Sequence, residues 1–147
     1  MNKLGKSDIK FILLIPLILI ATLIVVDTLI SYSENKRFKT ITEEIIKGTM
    51  EDDNIEYSEY YDEIKKQYER NDYDTDMLVV EANSYSVYVE NEHKYFGLLS
   101  SLRNSINEKQ QVKLLGITFN LRKNSKAFVK VTAKYDYNNN LTFEYEK

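Results

Sequence analysis

Three aspartates at alternate positions, Asp72, Asp74 and Asp76 in the run NDYDTDM, are the residues of this chain best spaced for chemistry. Carboxylates at every second position are how a calcium loop offers its first ligands to the ion. The pattern ends there, because Met77 stands where a glycine makes the sharp turn and Asn83 stands where a bidentate glutamate closes the cage. The spacing reads as a weak extracellular calcium site at best, with an acidic solvated turn as the plainer reading. His93 is the one histidine, in the polar run ENEHK, and there is no cysteine. A transition metal would have only carboxylates to bind, and a Ser-His-Asp relay would lack a nucleophile motif. His93 therefore reads as a solvated loop residue. The four glycines form no phosphate-cradling loop. No catalytic residue, no cofactor and no small-molecule substrate is expected, and the chain reads as a non-enzyme.

The elements that must position these residues start in a different solvent. Phe11 to Val26 carries no charged or strongly polar side chain, and Thr28 to Tyr32 extends the run past Asp27. As a helix, residues 11–32 cover ~33 Å, enough for a hydrocarbon core of ~30 Å. A soluble core helix would keep a polar face, and this run has none. Pro16 costs a bend rather than the helix, and Asp27 and Tyr32 lie where the far interface falls. Lys3, Lys6 and Lys10 flank one end and Lys36, Arg37 and Lys39 the other, so the basic count barely separates the two orientations. A long carboxy-terminal domain is exported largely regardless of its charge. The expected organisation is a cytoplasmic lead (1–10), a transmembrane helix (11–32), a helical stalk (33–50) and an extracytoplasmic α+β domain (51–147). The apolar run is longer than a secretory signal core, and no small-x-small cleavage site follows it.

In a chain of 147 residues, what remains beyond the membrane makes one modest domain. Phe38, Ile41 and Ile45 mark an apolar stripe through the stalk, and Gly48 weakens its end. Tyr57, Tyr60, Tyr61, Ile64 and Tyr68 recur at three- and four-residue steps and share one face of a second helix. MLVVEA and YSVYVE flank Asn83-Ser84 as a hairpin. A further helix is expected around residues 94–108. The last third reads as a three-stranded antiparallel meander: a strand from Val112 to Leu121 bulged at Gly116, a long strand from Lys126, and a last one from Leu141. The fold class is α+β, with helices covering the apolar side of a small sheet.

Charge is unevenly placed. Glu51 to Glu92 holds fourteen acidic and three basic residues, whereas His93 to Lys134 holds nine basic and one acidic, within a net charge of -3. That total gives no reason to expect nucleic acid as a partner. The plainer account sets acidic helices against a basic sheet within one domain; the alternative is a basic face offered to lipid head groups or an anionic envelope polymer. Lys126, Lys130 and Lys134 line the polar face of the penultimate strand, with Phe128 among them. Such a row keeps a sheet soluble, and Phe128 is the feature in it that hints at contact. The tyrosine face suits either a core edge or a protein interface. Candidate interface residues are thus Tyr57, Tyr60, Tyr61, Tyr68, Lys126, Phe128, Lys130 and Lys134, and the expected partners are the lipid bilayer and proteins of an envelope assembly.

The segment GKSDIKFILLIPLILIATLIVVDTLISY resembles the amino-terminal part of TadE-like pseudopilins of tight-adherence pilus systems. Those carry a short basic leader, a hydrophobic helix with an early proline, an acidic residue near its outer end and a following helix. Here these are Lys3 to Gly5, Phe11 to Val26, Pro16, Asp27 and Ser33 to Met50. The resemblance covers about the first 50 residues and implies a place in a pilus or secretion apparatus, with processing after Gly5. Prepilin-type processing sites have a glutamate at the fifth following residue; Lys10 stands there, with Phe11 as the aromatic that often comes next. The exported part is similar in outline to the cone-shaped scaffold domains of conjugative secretion machines. An extracytoplasmic ligand-binding or enzymatic domain is the remaining alternative.

Overall fold

A single helix, α1 (Lys6–Glu51), holds both the apolar run and the segment expected as a stalk. The computed structural model describes residues 6–97, 111–114, 117–120 and 125–147. The chain divides into two compact units, Met1–Tyr32 with Phe96–Asn124, and Ser33–Tyr95 with Ser125–Lys147.

In the first unit every side chain from Phe11 to Thr22 is exposed, Phe11 at 70% and Leu13 at 65%. Among the described residues α1 is the one helix long and apolar enough to cross a membrane, and none of its most apolar stretch is buried within the protein. The two threonines of its first half, Thr22 and Thr28, ask nothing of the solvent. Thr22 and Thr28 each donate their hydroxyl to the carbonyl four residues back, Ile18 and Ile24, at 2.8 Å, the usual way such side chains are satisfied in hydrocarbon. Pro16 lies inside the helix without ending it. This unit also contains β3 (Gln111–Leu114) and β4 (Ile117–Asn120), paired antiparallel with Val112 opposite Phe119 and Leu114 opposite Ile117. The strand expected from Val112 to Leu121 is therefore two strands of a hairpin. The alternation that suggested one bulged strand runs along both paired strands, and Gly116, expected as the bulge, lies outside the described residues. Most of the helix expected at 94–108 lies outside the described residues, but Lys94 and Tyr95 belong to a strand.

The second unit is built on the last turns of α1. Phe38, Thr42, Ile45, Ile46 and Thr49 are buried there at 6% exposure or less. Residues 33–50 are thus a core element of the folded unit rather than a stalk outside it. A short 3-10 turn (Tyr57–Glu59) leads into α2 (Tyr60–Arg70), which buries Tyr60, Ile64 and Tyr68. Against these helices lies a four-stranded antiparallel sheet in the order β1-β2-β5-β6, formed by Val79–Ala82, Ser86–Tyr95, Ser125–Tyr135 and Leu141–Tyr145. Strict alternation sets its register. Val87 faces Ala133, Val89 faces Val131, Asn91 faces Val129 and His93 faces Ala127, and all eight are buried. The long strand β5 pairs with β2 as well as with β6, so the expected three-stranded meander is replaced by a crossover between the β1-β2 and β5-β6 hairpins.

Asparagine and aspartate close the turns. Asn83 Oδ1 accepts the main-chain N–H groups of Tyr85 and Ser86 at 2.8 and 2.9 Å, which makes an Asx turn of the weak Asn-Ser signal. Asp136 Oδ1 does the same for Asn138 and Asn140 at 2.9 and 2.8 Å, with Asn139 left-handed at φ 64°. Helix α2 stops in a Schellman arrangement: Tyr73 N–H donates to Tyr68 O at 3.0 Å and Asp72 N–H to Glu69 O at 3.1 Å, with Asp72 at φ 60°. A glycine would take that conformation without a Cβ penalty. Asp72→Gly is expected to raise stability by about 0.5–1 kcal/mol, read from chemical denaturation of the detergent-solubilised chain. A calcium ligand at Asp72 would instead show as a lost calcium-dependent stabilisation in the same variant.

Candidate functional site

The inward-facing end of β2 gathers the polar groups of the second unit. Asn91 Nδ2 donates to the main-chain oxygen of Asp74 at 2.9 Å, and Asp74 Oδ2 accepts the Lys94 N–H at 3.0 Å. Asp74 Oδ2 also lies 3.5 Å from His93 Nδ1, and Glu34 of α1 stands 4.0 Å from His93 Nε2. Phe38, Tyr68, Tyr73 and His93 pack ring to ring, with centroids 4.5 Å apart for Tyr73–His93 and 5.2 Å for Phe38–Tyr73. His93 is 8% exposed. It is a buried strand residue, not the solvated loop residue its polar neighbours suggest, because those neighbours alternate to the outer face while His93 points in. The cluster ties α1, the segment after α2 and β2 together.

The aspartate run is divided among separate tasks. Asp72 closes α2 and Asp74 serves β2, while Asp76 is exposed. Among the described residues no three Asp, Glu or His side chains converge as a metal-binding group.

The tyrosine face also divides. Tyr60 and Tyr68 belong to the core, while Tyr57 and Tyr61 are 51% and 40% exposed. Tyr68 is fully buried, and its hydroxyl makes a 2.6 Å hydrogen bond with that of Thr42. Burial pushes its phenol well above the ordinary tyrosine value, with the hydrogen bonds from Thr42 and Asn91 opposing in part. Tyr60 is raised by burial, then by Tyr57, Tyr135, Asp52 and Asp53 nearby. Tyr145 of β6 donates to Glu43 of α1 and lies under Lys39 Nζ, 4.8 Å from the ring centroid. Burial and then the Glu43 hydrogen bond and charge raise it too.

On the outer face of the sheet the lysine row is already matched. Lys126 reaches Glu92 at 3.0 Å, Lys130 reaches Glu90 at 3.8 Å and Lys134 reaches Glu144 at 2.9 Å. Tyr88 donates to Glu90 at 3.1 Å and is pushed up to about 12 by burial and by that carboxylate. Phe128 stands among these pairs at 57% exposure. The lysines thus find their acids on the sheet itself, and the acidic helices are not their counterpart. Gly5 lies outside the described residues.

No protein-family model, curated protein or solved structure matches the chain.

Tyr68 and Tyr145 supply a pH dependence. A phenol whose folded pKa lies above its unfolded ~10 stabilises the fold below pH ~10 and loses that contribution as pH rises toward the folded value. Stability of the solubilised chain is expected to be flat from neutral pH to about 9 and to fall above ~10. Tyr68→Phe, which leaves the Thr42 hydroxyl without its partner, should cost about 1–3 kcal/mol at neutral pH and flatten the alkaline fall. An unchanged alkaline slope would remove Tyr68 from this account.

Proposed function

We propose that the protein is a single-pass membrane-anchored envelope component that works by binding and assembly rather than by catalysis. Its amino end is cytoplasmic and residues 33–147 are extracytoplasmic. The observation that carries this reading is the uninterrupted exposure of Phe11 to Thr22 on a helix whose later turns bury Phe38, Thr42, Ile45, Ile46 and Thr49 in a folded unit. An exposed apolar run of that length is stable in lipid or against a partner and not in water. The helix keeps its backbone hydrogen bonds within itself, which is what a spanning segment requires.

The resemblance to TadE-like pseudopilins supports a role as a part of a pilus or secretion apparatus, with residues 1–5 as leader. Lys10 favours a second reading, a plain anchored scaffold that keeps its leader, because it reverses the charge of the glutamate that processed pseudopilins carry there. Membranes from an expressing cell, washed with alkaline carbonate and floated on a density gradient, are expected to retain the chain. Intact mass then separates the readings: an amino terminus at Lys6 marks a processed pseudopilin, and a retained Met1 or Asn2 marks the scaffold. A chain that leaves the membrane in carbonate contradicts both.

A further inference from the structure

The second unit carries a surface dense in carboxylates that make no ion pair among the described residues. Between the end of α1 and α2 lies a cleft of about 340 Å³ with Ile41, Ile45 and Ile55 in its lining and Glu44, Asp52 and Glu63 beside them. Two neighbouring hollows share Ile55 with it. One adds Asp53, Glu56 and the half-exposed Tyr57; the other adds Glu59 and Asp62. Seven carboxylates thus surround an apolar centre, and Lys66 is the one cation lining it. None of the seven takes part in an ion pair among the described residues.

Several are nonetheless held in place. Asp52 accepts the Asn54 N–H at 3.0 Å, Glu59 the Glu56 N–H at 3.1 Å and Glu63 the Gln67 amide at 2.9 Å. Gly48 opens the middle of the cleft, since a Cβ built there meets nothing within 4 Å.

We infer that this cleft is a docking surface for an amphipathic helix of a partner protein that bears Lys or Arg along its polar edge. The groove between two helices accepts a third, whose apolar anchors at three- and four-residue steps lie on the half-buried Ile41 and Ile55. The seven carboxylates select a basic partner, speed its encounter and repel acidic surfaces such as anionic lipid head groups. The contrast with the outer sheet face supports the assignment: there each lysine of the row has an acid within 4 Å, and here none of the seven acids has a cation that close among the described residues. The inference rests on the reading of this protein as an assembly component, and it names the chemistry of one partner.

The test uses the full chain in zwitterionic nanodiscs, with empty nanodiscs as the blank. The probes are two fluorescent peptides of about 18 residues with leucines along one helical face, one carrying lysines and the other glutamates on the opposite face. The lysine peptide is expected to bind and the glutamate peptide not to, with affinity falling as salt is raised. Glu44→Lys with Glu63→Lys should weaken binding about tenfold or more. Gly48→Phe, which fills the cleft, should do the same, while Gly48→Ala and Lys130→Glu on the sheet leave it within about twofold.

Equal binding of both peptides, or indifference to the charge reversal and to Gly48→Phe together, overturns the inference. So does full competition by millimolar calcium at constant ionic strength, which would make the surface a cation site. Self-association of the chain abolished by Gly48→Phe overturns it too, since the occupant would then be a second copy. A chain that incorporates into nanodiscs but fails to discriminate the peptides removes the docking surface and leaves the anchored reading standing. A chain that stays dispersed without lipid removes the anchored reading whatever the peptides do.

Discussion

One helix carries two kinds of surface, an exposed apolar run and a buried face, and the rest of the protein follows from how α1 divides them. Its backbone groups bond to each other along the helix, so the surroundings are chosen by side chains alone. From Phe11 to Thr22 every side chain is exposed and nearly all are hydrocarbon; from Phe38 to Thr49 five are buried against α2 and the sheet. The second set includes Thr42 and Thr49. Thr42 meets the Tyr68 hydroxyl, and Thr49 returns its hydroxyl to Ile45 O at 2.8 Å. Removing α1 would therefore take away a wall of the α+β core along with the apolar run.

Electrostatics divides the second unit in a complementary way. The sheet face is neutralised strand by strand, through cross-strand pairs that contribute little to stability individually but leave little net field. The helical side gathers seven carboxylates and Lys66 around Ile55. In a protein with a net charge of only -3, that separation is a property of placement rather than of composition. It gives the folded unit one face whose lysine row is paired and one face whose carboxylates make no ion pair among the described residues.

Much of this was legible in the sequence, and the gaps have identifiable causes. The apolar run, α2 and the β1-β2 and β5-β6 hairpins follow from periodicity and turn chemistry, both of which act over a few residues. Strand order does not: β5 pairs with β2 across twenty-nine intervening residues, and no local pattern encodes that partner. Thr42, Thr49, Asn91 and His93 were missed as core because polar side chains read as surface until their partners are known. Asp72 looked like a ligand when its backbone conformation, closing a helix at positive φ, is what the position uses. The charge imbalance was visible in full, but the counter-ions of the lysine row were placed on the helices when they lie on β2 and β6.

The absence of cysteine allows the central claim to be tested one position at a time, since an introduced thiol is the only one in the chain. Single variants Leu19→Cys, Glu44→Cys and Ile46→Cys would be treated in intact cells with a membrane-impermeant maleimide. The account requires rapid labelling at position 44, none at position 19, and labelling at position 46 only after denaturant is added. Labelling of position 19 as fast as position 44, without detergent, would show that the first half of α1 lies in water and would contradict the account.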